Sequence, residues 1–118
     1  MPYSPQDHAD KAKENELLAD SLGSSPSTVE WAITATFYAA VHYVQSYLVK
    51  NGNDPARHSS RRRVYLADPK VSMIDNDYQE LMDKSVLARY HVMHLDVAEL
   101  ARAKALLQSI KNVVIPLL

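Results

Sequence analysis

The stretch EWAITATFYAAVHYVQSYLVKNG spans residues 30–52 and decides the fold. From Trp31 to Val49 it carries no formal charge unless His42 is protonated. Its apolar residues recur at spacings of three and four, the period of a helix, and nothing in it alternates as a strand would. Ile33, Phe37, Ala40, Val41, Val44 and Leu48 form one stripe that belongs in a core. Trp31, Ala35, Tyr38, His42, Gln45 and Val49 form a second, half-polar stripe. A helix that is apolar around most of its circumference must be surrounded. The second stripe therefore faces other helices, a partner subunit, or both. The run approaches the roughly 20 residues that cross a bilayer. Thr34, Thr36, His42, Gln45, Ser46 and three tyrosines make it a buried helix instead, so no membrane association is expected. Three roles are open to His42: filling space, bonding a tyrosine or the basic segment that follows, or serving a site.

Working outward, the two glycines fall where helices should stop. Ser4-Pro5 is an N-cap followed by proline at the first helical position, and Gly23 closes that first helix. Its apolar residues, Ala9, Ala12, Leu17, Leu18, Ala19 and Leu22, make only a narrow stripe, so it is expected as a solvated cover. Ser27 and Glu30 have capping-box spacing at the head of the second helix, and Gly52 is its expected C-cap. A short basic third helix should begin at Asp54-Pro55 and end at Asp68-Pro69. From Val71 to Ile115 there is no glycine or proline. A single helix of that length is improbable for a small domain. The break belongs at HLDVAEL, where Asp96 and Glu99 repeat the capping-box spacing and Leu95 and Leu100 flank it as a staple. The spacing thus predicts a fourth helix from Ser72 to Met93 and a fifth from Val97 to Val114. The expected architecture is all-α, an antiparallel bundle of four to five helices in a single domain, residues 1–118.

Composition bounds the chemistry. A chain of 118 residues, 47% hydrophobic and 23% charged, is ordinary globular material. Its net charge of −1 sets up no global attraction to nucleic acid, so any such attraction is local. The absence of cysteine excludes disulfides, thiolate zinc sites and thiol nucleophiles, and it suits a reducing, cytoplasmic setting. The polar, acidic opening residues do not read as a signal peptide. There is no glycine-rich phosphate loop and no Ser-His-Asp order. His91 and His94 lack a carboxylate at metal-site spacing, so neither metal nor cofactor is expected. ARYHVMH stands out. Arg89 and His94 bracket the proposed helix break, where the chain can turn and bring them together. A permanent cation and a group titrating near neutrality suit phosphodiester chemistry. The competing reading is structural, with Arg89 pairing Asp83 or Glu80 or capping the last carbonyls of the fourth helix. Likewise Arg61, Arg62 and Arg63 are either a solvated basic face or phosphate contacts.

WAITATFYAAVHYVQSYL, then RHSSRRR, then YQELMDKSVLARYHVMH, together resemble the HEPN superfamily (higher eukaryotes and prokaryotes nucleotide-binding). The likeness runs from about Ala12 to Val114. It implies a small all-helical bundle, usually a homodimer, with an aromatic and alanine-rich second helix and a basic patch after it. Many members carry arginine, four to six residues, then histidine, as the active site of a metal-independent ribonuclease built across the dimer axis. Arg89 and His94 match that spacing. Tyr90 departs from the pattern, since active members usually have Asn, Asp or His there; here the polar residue, His91, comes one later. The resemblance implies catalytic roles for Arg89 and His94. It also implies contacts to RNA or nucleotide from His42, Tyr38, His58, Arg61, Arg62, Arg63, Tyr90 and His91. A toxin–antitoxin or defence role, with an antitoxin or nucleotidyltransferase partner, is one expectation; a non-catalytic dimerisation or interaction module is the other.

Overall fold

The computed structural model describes residues 3–23, 25–90 and 95–118. Five α-helices follow in order: α1 (Pro5–Leu22), α2 (Val29–Lys50), α3 (His58–Leu66), α4 (Asp75–Tyr90) and α5 (Val97–Val114). Short 3₁₀ turns, Ser72–Ile74 and Ile115–Leu117, precede α4 and follow α5. There is no strand among the described residues, and the fold is an all-α bundle. No helix among them is long and apolar enough to cross a membrane.

Side-chain pairings set the directions of the helices. Ser46 donates to the carbonyl of Pro5, and Thr28 to that of Leu22, so α1 and α2 run antiparallel. Lys104 reaches Asp20 and Lys111 reaches Glu16, placing α5 antiparallel to α1. Arg102 forks onto Glu80 and Lys84 meets Glu99, so α4 is antiparallel to α5. The apolar second helix lies at the centre, packed against α1, α4 and α5. All six residues of its first stripe are buried. They meet Tyr65 of α3, Ile74, Tyr78 and Leu81 around α4, and Leu106, Ile110 and Val114 of α5 in one core.

Helix ends follow local chemistry, with instructive exceptions. Ser4 caps α1 through a bond from the Asp7 amide, Asp7 returns the bond to Ser4, and Gly23 closes the helix at φ 65°. Asp96 caps α5 through the Glu99 amide at 3.0 Å. At α2 the cap is Thr28, not Ser27: its hydroxyl is spent on the Leu22 carbonyl and makes no capping bond. Asn51 is the C-cap there, and Gly52 turns the chain one residue later at φ 87°. The third helix starts at His58 rather than at Asp54-Pro55, because Asp54 and Pro55 instead receive bonds from Gln45. The fourth begins as a 3₁₀ turn and becomes α-helical only at Asp75; Met93, its expected end, lies outside the described residues. The cover helix buries only part of its expected stripe. His8, Ala12 and Ala19 are its buried residues, while Leu17 and Leu18 stand 69% and 48% exposed.

Candidate functional site

Arg89 occupies the last turn of α4, where the cation also complements the helix dipole. Its Nε donates to the Ser85 carbonyl at 3.2 Å, one turn back. Its Nη1 donates to the Tyr38 hydroxyl at 2.5 Å, joining α4 to the half-polar stripe of α2. The guanidinium carbon lies 5.5 Å from the Tyr38 ring centre and 5.2 Å from that of Tyr90. Such faces attract a cation without neutralising it. Neither Asp83 nor Glu80 pairs with Arg89; Glu80 is taken by Arg102 and Lys84. Among the described residues no carboxylate lies within ion-pair distance of Arg89.

A second cation lies beyond it. Arg61 is 7% exposed, so it is not part of a solvated basic face. Its Nε donates to Gln45 Oε1 at 2.9 Å and its Nη1 meets His58 Nδ1 at 3.0 Å. Gln45 passes the polarity on by donating to Asp54 at 2.8 Å. An arginine only donates, so His58 Nδ1 must carry a lone pair, and the hydrogen of the neutral ring sits on Nε2. The His58 ring rests on Phe37, with centroids 5.5 Å apart. Lost hydration on that side, then the Arg61 and Arg89 charges, lower its pKa below the ordinary histidine value. The buried Tyr78 hydroxyl, whose ring packs on Phe37, has no hydrogen-bond partner among the described residues, and burial raises its pKa against the pull of Arg61.

The remaining candidates separate. Arg62 is tied to Asp75 by two bonds of 3.0 Å, and Arg63 is exposed beside Val64 and Asp68. The three consecutive arginines thus present one buried, one paired and one open cation. Tyr90 is 75% exposed at the end of α4. His91 and His94 lie outside the described residues. His42 is half-buried, but its partner is neither a tyrosine nor the basic segment. It meets His8 of α1, Nδ1 to Nδ1 at 3.1 Å, in an open cleft of about 570 Å³ that Tyr3, Asp7, Asp10, Lys11 and Glu14 also line. His8 is the residue that reading the sequence missed. The signal was present: His8 and His42 stand equally far from Ser25 in the turn between α1 and α2, and an antiparallel hairpin brings such positions face to face.

The sequence matches no family model, no curated protein and no solved structure.

Proposed function

We propose that this chain is a HEPN-like helical domain that binds the phosphate of RNA or of a nucleotide at Arg89. The observation that carries the reading is a guanidinium framed by Tyr38 and Tyr90 with no carboxylate within ion-pair distance among the described residues, next to His58 and the buried cation of Arg61. Beyond its bonds to Ser85 and Tyr38 the guanidinium keeps one hydrogen on each of Nη1 and Nη2, and those two can meet a phosphate, while the exposed Tyr90 ring offers a face to a base. The reaction in this reading is metal-independent cleavage of RNA. Arg89 holds the phosphate and His94 moves a proton at the ribose 2′-hydroxyl or at the leaving oxygen.

The test is binding of a short, end-labelled single-stranded RNA, followed by anisotropy, with cleavage scored on gels in EDTA. Arg89→Ala should weaken binding at least about tenfold, and Arg89→Lys should recover only part of it because the fork is lost. His94→Ala should bind as the parent does and cut nothing. Unchanged binding in Arg89→Ala overturns the site. Binding without any cleavage leaves a nucleotide- or RNA-binding module.

A second reading, a helical dimerisation module, has its own observation. Trp31 is 63% exposed beside a groove of about 310 Å³ lined by Asn15, Leu18, Leu22, Thr34, Ala35 and Tyr38. The two readings share α2, and in a homodimer formed there Tyr38 and Arg89 lie next to the contact.

A further inference from the structure

We propose that His8 and His42 form a proton-operated latch, which holds the first turns of α1 on α2 and releases them when both imidazoles are protonated. The geometry is that of one shared hydrogen. The rings are nearly coplanar, at 25°, with centres 5.3 Å apart and Nδ1 atoms 3.1 Å apart. Rings lying face over face would bring their centres to about 3.5–4 Å. At 5.3 Å, with the nitrogens on the line between the centres, the rings meet edge to edge. The two Nδ1 atoms point at each other along an N–H···N bond.

That bond counts protons. When both rings are neutral, one Nδ1 carries the hydrogen and the other accepts it, so the two histidines hold opposite tautomers. One proton taken from solvent goes to the outer Nε2 of the donor ring. The bond survives and becomes charge-assisted. A second proton has no outer site left, because the acceptor ring already carries hydrogen on Nε2. It must go to the accepting Nδ1, where two N–H groups and two cations then oppose each other at contact. The cleft is open, so that proton can arrive from water.

The surrounding charges do not offset this repulsion evenly. Partial burial holds the His8 pKa below the ordinary histidine value; Asp54 before α3 and Asp7 of α1 favour a proton on it, and Arg61 of α3 disfavours it. His42 faces the cations Lys11 and Arg61 as well as His8, and partial burial pushes it down to about 4. Asp10, Glu14 and the Tyr3 hydroxyl complete the lining.

This half of α1 has little else to hold it. The buried apolar residues of the whole helix are Ala12 and Ala19, and among the described residues the other ties near the pair are the Tyr3 ring, set edge-on with its centre 6.0 Å from that of His8, and the Ser46 bond to the Pro5 carbonyl at 2.7 Å. The carboxylate ties, Glu16 to Tyr43 and Lys111 and Asp20 to Lys104, all lie in the second half.

Hydrogen exchange read as protection factors, from about pH 7 down to about pH 4, tests the latch on the full chain. Amides in the first half of α1 should lose at least about tenfold in protection relative to those of α5. In His8→Gln, which keeps a hydrogen-bonding side chain but cannot charge, that difference should vanish. Loss in the variant equal to that in the parent would assign the opening to the carboxylates and overturn the latch. So would full protection of the parent at about pH 4. Imidazole ¹⁵N shifts of the parent at neutral pH give a check that needs no variant: one ring should be protonated at Nδ1 and the other at Nε2. Two rings of the same tautomer would overturn the shared bond.

Discussion

Asp75 shows how much one side chain holds at the junction of α3 and α4. It accepts two bonds from Arg62 and one, at 2.6 Å, from the hydroxyl of the fully buried Tyr65. Arg62 first, then Tyr65, hold its carboxyl below the usual carboxylate range. The sign follows from proton binding: between the depressed folded pKa and the ordinary unfolded one, the unfolded chain binds more protons. The stability Asp75 contributes is complete above the ordinary carboxylate pKa and is lost as pH falls through the folded value. Asp75→Asn should therefore cost about 2 kcal/mol at neutral pH, since it removes the charge while leaving a buried phenol and a guanidinium with a poorer acceptor. The variant and the parent should converge in urea unfolding as the medium is acidified. A constant gap down to strong acid would show that the carboxylate charge is not the source. Tyr47→Phe is a smaller case. It removes the 2.6 Å bond to Asp68, should cost about 1 kcal/mol, and should let the Asp68 carboxyl rise toward its ordinary pKa, which a carboxyl ¹³C titration reads.

At the scale of elements, the difference between Asp96 and Ser27 separates what is local from what is not. Both have a glutamate three residues on, the same signature on paper. Asp96 does cap α5, and Asp96→Ala should cost about 1 kcal/mol by thermal unfolding. Ser27 lies one residue before the actual cap, so Ser27→Ala should change stability by no more than about 0.5 kcal/mol. A loss of a full kcal/mol in Ser27→Ala would mean that the expected box forms in solution after all. The ends of α1 and α5 were legible because Ser4, Gly23 and Asp96 act on amides and carbonyls within a few residues. The start of α3 was not, because Asp54 is recruited by Gln45 from across a loop. The same division runs through the site. By residue type and by its spacing to His94, which lies outside the described residues, Arg89 was a candidate. Its tyrosine partner, fifty-one residues away, the burial of Arg61 and the pairing of His42 with His8 depend on which helices meet, and no local pattern encodes that.

At the scale of the whole molecule, the question is what covers α2. Four helices cover most of it, and sixteen of its residues are buried. Its N-terminal half keeps one open side, where Trp31 stands proud of the groove formed with Leu18 and Leu22 of α1. A large aromatic at the mouth of an apolar groove is the composition of an interface core, and a two-fold contact would pair each Trp31 with the groove of the other copy. Trp31 is the chain's one tryptophan, which makes the contact directly readable. In a dimer formed here, tryptophan emission should lie toward the blue at tens of micromolar and move to the red on dilution. Sedimentation should then fall from about twice 13.3 kDa toward the single-chain mass over the same range. Trp31→Glu places a charge in the groove and should give a folded monomer with the helical circular dichroism of the parent. Red emission at every concentration, together with a single-chain mass at tens of micromolar, would leave Trp31 as a solitary exposed aromatic. Red emission with a mass of two chains would instead move the dimer contact to another face of the bundle and take the groove out of it.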